Sequence, residues 1–115
     1  MGRIIRNQTL YALGIALIEL YYRQPISELH QNTDGNQNTG DSFLDLVTEF
    51  NTADRMAEAL LSEAGAKYSD AVRRCIRCDF DQRASSLEDT KFQEAVFWGV
   101  VAQLQENYDY LFQRY

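Results

Sequence analysis

The chain has 115 residues, 45% hydrophobic and 24% charged, which is the balance of one globular domain and too apolar for a disordered one. A chain of that length buries roughly two-thirds of its unfolded surface, so a core forms without disulfides or metal. Its 17 acidic and 11 basic side chains leave a formal charge of −6, which excludes a general binder of nucleic acid or anionic membrane, because phosphate repels a net-acidic surface.

A single Pro in the whole chain favours long helices. The first reads from Thr9, as N-cap, to about Tyr22. Leu10, Leu13, Ile15, Ala16, Leu17, Ile18 and Leu20 surround its axis, the pattern of a helix buried on most faces and central to the fold. Leu10, Leu13, Leu17 and Ile18 are its expected buried set. Gly14 marks a close approach, since Gly inside a helix otherwise costs about 1 kcal/mol relative to Ala. Arg3 and Arg6 ahead of the apolar run imitate a signal peptide, yet Glu19 interrupts the run and no small-residue cleavage site follows Tyr21. The run is also about half the ~20 apolar residues that span a bilayer. Pro25 ends the helix, Ile26 to Leu29 form a short turn, and the Asn-, Gln-, Asp- and Gly-rich tract 31–40 reads as a solvated, flexible loop.

Asp41 caps a second segment in which Phe43, Leu46, Val47 and Phe50 recur at helical spacing. Asn51-Thr52 either breaks or merely interrupts it before Met56, Ala59 and Leu60 continue the period, and Gly65 stops it. Tyr68, Val72, Cys75 and Ile76 define a short third helix. After a loop around residues 79–83, Ser85 and Glu88 have capping-box spacing. The last helix carries Phe92, Val96, Val100, Leu104, Tyr108 and Leu111 down one face. With no strand-like alternation, the expectation is one all-α domain over residues 1–115, four to five helices around the central apolar one.

Several patterns imitate functional sites. Cys75 and Cys78 form one C-x-x-C pair, whereas a structural zinc site takes four ligands. Placed late in a helix, where the dipole disfavours a thiolate, they read as buried, reduced thiols of a cytoplasmic protein rather than a redox pair. Asp34, Asn36, Asn38, Gly40, Ser42 and Asp45 follow calcium-loop spacing, but Thr39 replaces the required Gly and Asp45 the bidentate Glu. Arg73, Arg74 and Arg77 form the one basic cluster, a possible interaction surface set against a plain solvated face paired with Asp70 and Asp79. The aromatic stripe Phe97, Trp98 and Tyr108 reads as core. No nucleophile with a neighbouring base and no phosphate-cradling Gly loop is present, so no cofactor or metal is expected.

Two blocks carry a resemblance. Thr9-x-Tyr11-Ala12-x-Gly14, then Glu19-Leu20 and Pro25, resembles the central helix of the protein-kinase large lobe and the turn after it. Cys75-Ile76-x-x-Asp79-Phe80-x-x-Arg83-Ala84-Ser85 is similar to a second kinase pattern, Cys-Leu-x-x-Asp-Pro-x-x-Arg-Pro-Ser, in the right order and at the right separation. A closer match is a fungal kinase-like C-terminal domain of unknown function, often found behind prion-inhibition-and-propagation (HeLo-like) regions. It carries strings similar to Thr52-Ala53-Asp54-Arg55 and Arg73-Arg74-Cys75-Ile76-Arg77-Cys78-Asp79-Phe80.

The resemblance implies the C-terminal half of a kinase large lobe, with Gly14, Glu19, Pro25, Cys75, Asp79 and Arg83 as its structural motif. The Gly-rich loop, the ATP-anchoring Lys, the catalytic Asp and the metal-binding Asp of kinases have no counterpart here and would lie ahead of Met1. The kinase Asp that braces the catalytic loop is replaced by Thr9. Together these imply a non-catalytic scaffold or interaction module, by resemblance in fungal self/non-self or cell-death signalling. The alternative is the C-terminal fragment of an active kinase. The expected partner is an unidentified protein or an upstream part of a longer chain, with self-association through exposed apolar surface as a further possibility.

Overall fold

The computed structural model describes residues 5–80 and 87–112. Within them the chain forms α1 (Gln8–Tyr22), α2 (Ser42–Glu63), α3 (Ala66–Arg77), α4 (Thr90–Val96) and α5 (Ala102–Phe112). A π-helical turn, Phe97–Val101, joins the last two into one rod over 90–112, and two short 3-10 turns, Ile26–Leu29 and Asn32–Asp34, lie between α1 and α2. The described residues contain no strand, and the fold is all-α.

Local chemistry accounts for the element ends. Asn7, not Thr9, caps α1, its side chain accepting the Leu10 N–H at 3.0 Å. At the other end Arg23 turns left-handed (φ 59°) and its N–H returns to the Glu19 carbonyl. Asp41 caps α2 by accepting from the N–H groups of Phe43 and Leu44, and the helix runs unbroken through Asn51-Thr52. Thr52 is tolerated there because its hydroxyl bonds back to the Thr48 carbonyl. Gly65, at φ 98°, separates α2 from α3 in a conformation that L side chains rarely adopt. Asp89 caps α4, accepting the Phe92 N–H at 3.0 Å. The capping box expected at Ser85 and Glu88 does not start this helix, since Glu88 precedes the Asp89 cap; Ser85 lies outside the described residues.

α3 is the helix on which the others meet: α1, α2, the π-turn and α5 all pack against it. Its sequence explains this, because its apolar residues divide between two sides. Val72 and Ile76, four apart, enter a cluster with Tyr11, Ile18, Ala53, Met56, Ala57 and Leu60. Ala71, Cys75 and Cys78 enter a second cluster with Leu10, Phe80, Phe92 and Val100. Small residues let α2 and α3 approach closely, and the Ser69 hydroxyl donates to the Ala57 carbonyl across the contact.

The apolar α1 therefore lies to one side of the centre rather than at it. Leu10 and Ile18 are buried and Leu17 is half-buried, but Leu13 is exposed and Leu20 is 72% exposed. The all-round apolar pattern gives α1 an uncovered strip of Ala12, Leu13, Ala16 and Leu20. The shape supplies the reason: the Cα trace measures 51 × 33 × 16 Å, and its thin dimension holds about two helices packed ~8–10 Å apart. A slab that thin covers only one side of its outer helices.

The polar tract 31–40 also departs from a plain solvated loop. Asp34 is 5% exposed and accepts four hydrogen bonds: from the Gln31 N–H, the Thr52 hydroxyl, and Nε and Nη2 of Arg55, all between 2.9 and 3.0 Å. Arg55 also donates to the Leu29 carbonyl at 2.6 Å, and His30 bonds the Gly35 carbonyl. The hydrogen bond from Arg55 is the main cause that holds the Asp34 carboxyl at about 2 against the penalty of burial. The loop is pinned to α2.

Candidate interaction surface

The kinase-like motif residues fall into two groups. Gly14 sits where α1 crosses α3: a Cβ there would lie 2.6 Å from Ile76 Cδ1 and 3.1 Å from Cys75 Cβ, so the close approach expected of it is met by the Cys75-Ile76 pair of the second block. Glu19 accepts the Ile26 N–H at 2.8 Å, which ties the end of α1 to the turn that Pro25 opens in extended conformation. Asp79 is exposed, and its carbonyl accepts from Arg74 at 3.3 Å. Arg83 lies outside the described residues.

Cys75 and Cys78 are free and buried. Burial pushes the Cys75 thiol up to about 12, and it raises Cys78 as well, the opposite of what a reactive thiolate requires. In the calcium-like string, Asp34 is taken by Arg55, and the Asp45 carboxylate accepts the N–H and hydroxyl of Thr39 at 2.9 Å each. Among the described residues no three His, Cys, Asp or Glu side chains are grouped to hold a metal, and no described helix is long and apolar enough to cross a membrane.

The basic cluster is engaged within the chain. Arg73 and Arg74 both bond the Asp70 carboxylate. Burial pushes that carboxyl up, and the hydrogen bonds from Arg74 and Arg73 outweigh it to leave it below its usual range. Arg77 grips Asp54 through two nitrogens at 2.6 and 3.0 Å, with Glu58 at 3.6 Å. The string Thr52-Ala53-Asp54-Arg55 thereby acquires a physical meaning: Thr52 and Arg55 hold Asp34, Ala53 is fully buried, and Asp54 holds Arg77. Sequence reasoning missed the Asp34 pair. Its signal was the one acid in a loop otherwise made of amides, threonine and glycine, with nothing local to mark its partner.

The last rod presents the largest departure from expectation. Phe92 and Val100 are buried against α3, and Phe80 meets the Phe92 ring edge-on at 5.5 Å between centroids. Residues four apart drift by about 40° in an α-helix. The π-turn absorbs one extra residue and keeps Val96, Val100 and Leu104 toward α3. Gly99 belongs to the same fit, since a Cβ there would lie 3.1 Å from Phe80 and 3.3 Å from Arg74. With the inner side filled by aliphatic residues, the aromatic ones turn outward. Phe97 and Val101 are each 47% exposed, Trp98 67% and Tyr108 58%, so the expected core stripe lies on the surface.

Phe97 and Trp98 brace each other edge-to-face, with centroids 5.1 Å apart. Trp98 stands between two hollows. One, of about 300 Å³, runs along Phe97, Val101, Ala102 and Gln105; the other, of about 340 Å³, reaches Phe80, Asp70 and Arg74. An aromatic ridge between two shallow hollows offers exposed contact area.

No curated protein and no solved structure matches the chain significantly. A family described as a domain of unknown function (DUF7580) matches residues 3–110. That span includes every helix up to Tyr110, and the chain belongs to this family.

Proposed function

We propose that this domain is a non-catalytic protein-interaction module whose contact surface is the outer side of the last rod. The observation that carries the reading is the exposure of Phe97, Trp98 and Val101 on the π-turn of a capped rod whose inner side is well packed. Large aromatic side chains left in water cost free energy that a partner recovers, and aromatic residues are enriched at protein interfaces. A further support is that the strongly shifted groups are scattered rather than gathered in a cleft: Tyr11, Asp34 and Cys75 are buried within packing or an ion pair, and the half-buried Tyr22 bonds Glu63.

A kinase-like ancestry, a cytoplasmic setting and a place in fungal self/non-self signalling remain part of the proposal. Their support is the paired sequence blocks, together with the Gly14 crossing and the Glu19 tie to Ile26.

Affinity capture from an extract of the source cells tests the reading, with the wild-type domain and the Phe97→Ser/Trp98→Ser variant as baits. The expected result is at least one stoichiometric protein kept by the wild type and by Leu20→Ser, and lost with the double variant. Identical sets of captured proteins from all three baits refute the surface assignment.

A further inference from the structure

We propose that the Phe97, Trp98 and Val101 ridge docks a basic amphipathic helix of another protein; this names the partner for the surface above and rests on that reading. The shape of the ridge selects a helix. Phe97 and Val101 lie one turn apart with Trp98 beside the first, and Tyr108 follows two turns on, beyond the exposed Gln105, a span of about 17 Å at about 1.5 Å per residue. A helix of three or four turns lays its own apolar row alongside such a ridge, placing side chains into the hollows on either side of Trp98.

The rim selects the charge. Between residues 92 and 110 the charged side chains are Glu94, Glu106 and Asp109; nearby cations include the exposed Lys91 at the start of the rod and Arg74, which is paired with Asp70. All three carboxylates are exposed. Lys67 of α3 already pairs with Glu106 at 2.8 Å, and Gln105 donates to Asp109 at 2.9 Å, so Glu94 and Asp109 are the carboxylates beside the strip that no cation offsets among the described residues. Lysine or arginine flanking a partner's apolar row complements them. A second copy of this chain fits worse, because pairing like surfaces brings both acidic rims together in molecules already carrying −6 each. An anionic lipid surface is repelled by the same rim.

Trp98 is the chain's sole tryptophan, so docking reads directly in its emission. The probe is a synthetic helix of about 18 residues made of Leu and Lys, with Lys bordering the Leu row. The same peptide with Glu for Lys is the comparison. The Lys peptide should give a saturable blue shift and shield Trp98 from acrylamide, with affinity falling as salt shortens the screening length from about 10 Å to about 3 Å. The Glu peptide should bind about tenfold weaker or less. Val101→Glu should abolish the saturable shift, Glu94→Gln/Asp109→Asn should weaken it about two- to tenfold, and Leu20→Ser should leave it unchanged. Phe97→Ser serves if circular dichroism shows that Val101→Glu has not folded.

Equal binding of the two peptides, or binding indifferent to Val101→Glu and Phe97→Ser, overturns the proposal. A blue shift that grows with protein concentration, with a dimer in sedimentation, assigns the ridge to a second copy. It overturns the basic partner while leaving the interaction reading intact. The same division applies when no peptide binds but affinity capture still depends on Phe97 and Trp98. A matching shift on phosphatidylcholine vesicles overturns both.

Discussion

Arg55 is the sharpest point at which to test the fold, because one side chain ties the loop to the helix bundle. Its guanidinium gives two hydrogen bonds to Asp34 and one to the Leu29 carbonyl. Arg55→Leu leaves the Asp34 carboxylate 4% exposed with only Gln31 and Thr52 as donors. The magnitude follows in two ways. Asp34 is held at about 2 against the usual 3.8 by all its donors together, Arg55 foremost, which corresponds to roughly 2 kcal/mol. Removing one partner of a buried pair costs about 3–5 kcal/mol; Arg55 is 30% exposed, which favours the lower end. We expect a loss of about 2–3 kcal/mol in urea denaturation at pH 7. Because the folded carboxyl is depressed, the ionised pair stabilises fully above about pH 4, and its contribution disappears as pH falls toward about 2. The difference between wild type and Arg55→Leu should shrink over that interval. An Asp34→Ala, Arg55→Leu cycle should return a coupling above about 1 kcal/mol. A loss below about 0.5 kcal/mol at pH 7, typical of a surface site, would refute the reasoning and return residues 31–40 to the status of a solvated linker.

Neighbours on α1 should behave oppositely: Ile18→Ala, at a fully buried position, should cost about 2–5 kcal/mol. Leu20→Ala, exposed on the uncovered strip, should stay within about 0.5 kcal/mol in the same denaturation series. Gly14→Ala gains about 1 kcal/mol of helix propensity but drives a methyl into Ile76 and Cys75, so a net loss of about 1 kcal/mol or more is expected, relieved in part by Ile76→Val; a stabilised Gly14→Ala would contradict the crossing. Cys75, with its thiol pushed up to about 12 by burial, should react with a maleimide only as fast as the domain opens, and fast labelling in native buffer would place it at the surface.

How much was legible differs by residue. The α3 pattern could be read directly, since Val72, Cys75 and Ile76 lie within two turns of one another and helical period alone brings them together. Gly14 was legible because Gly in a helix interior has a cost that only a close contact offsets. Asp34 was not. Its partner lies 21 residues away, beyond the rest of the loop, the Asp41 cap and the first half of α2, and no local rule relates an acid in a polar loop to an Arg on the next helix. The aromatic stripe failed for a different reason. Periodicity separates the sides of a helix, but it does not say which side another element will cover.

The amino-acid sequence by itself determined the helices, most of their ends and the all-α class, because caps, Gly, Pro and apolar period act within a few residues of one another. Only the tertiary structure decided that α3 rather than α1 lies at the centre, that Asp34 is buried against Arg55, and that Trp98 faces outward. Those outcomes depend on how many helices there are to share the available apolar surface. In a slab 16 Å thick, a helix apolar all round has neighbours on one side alone, and its other side is left to water or to a partner.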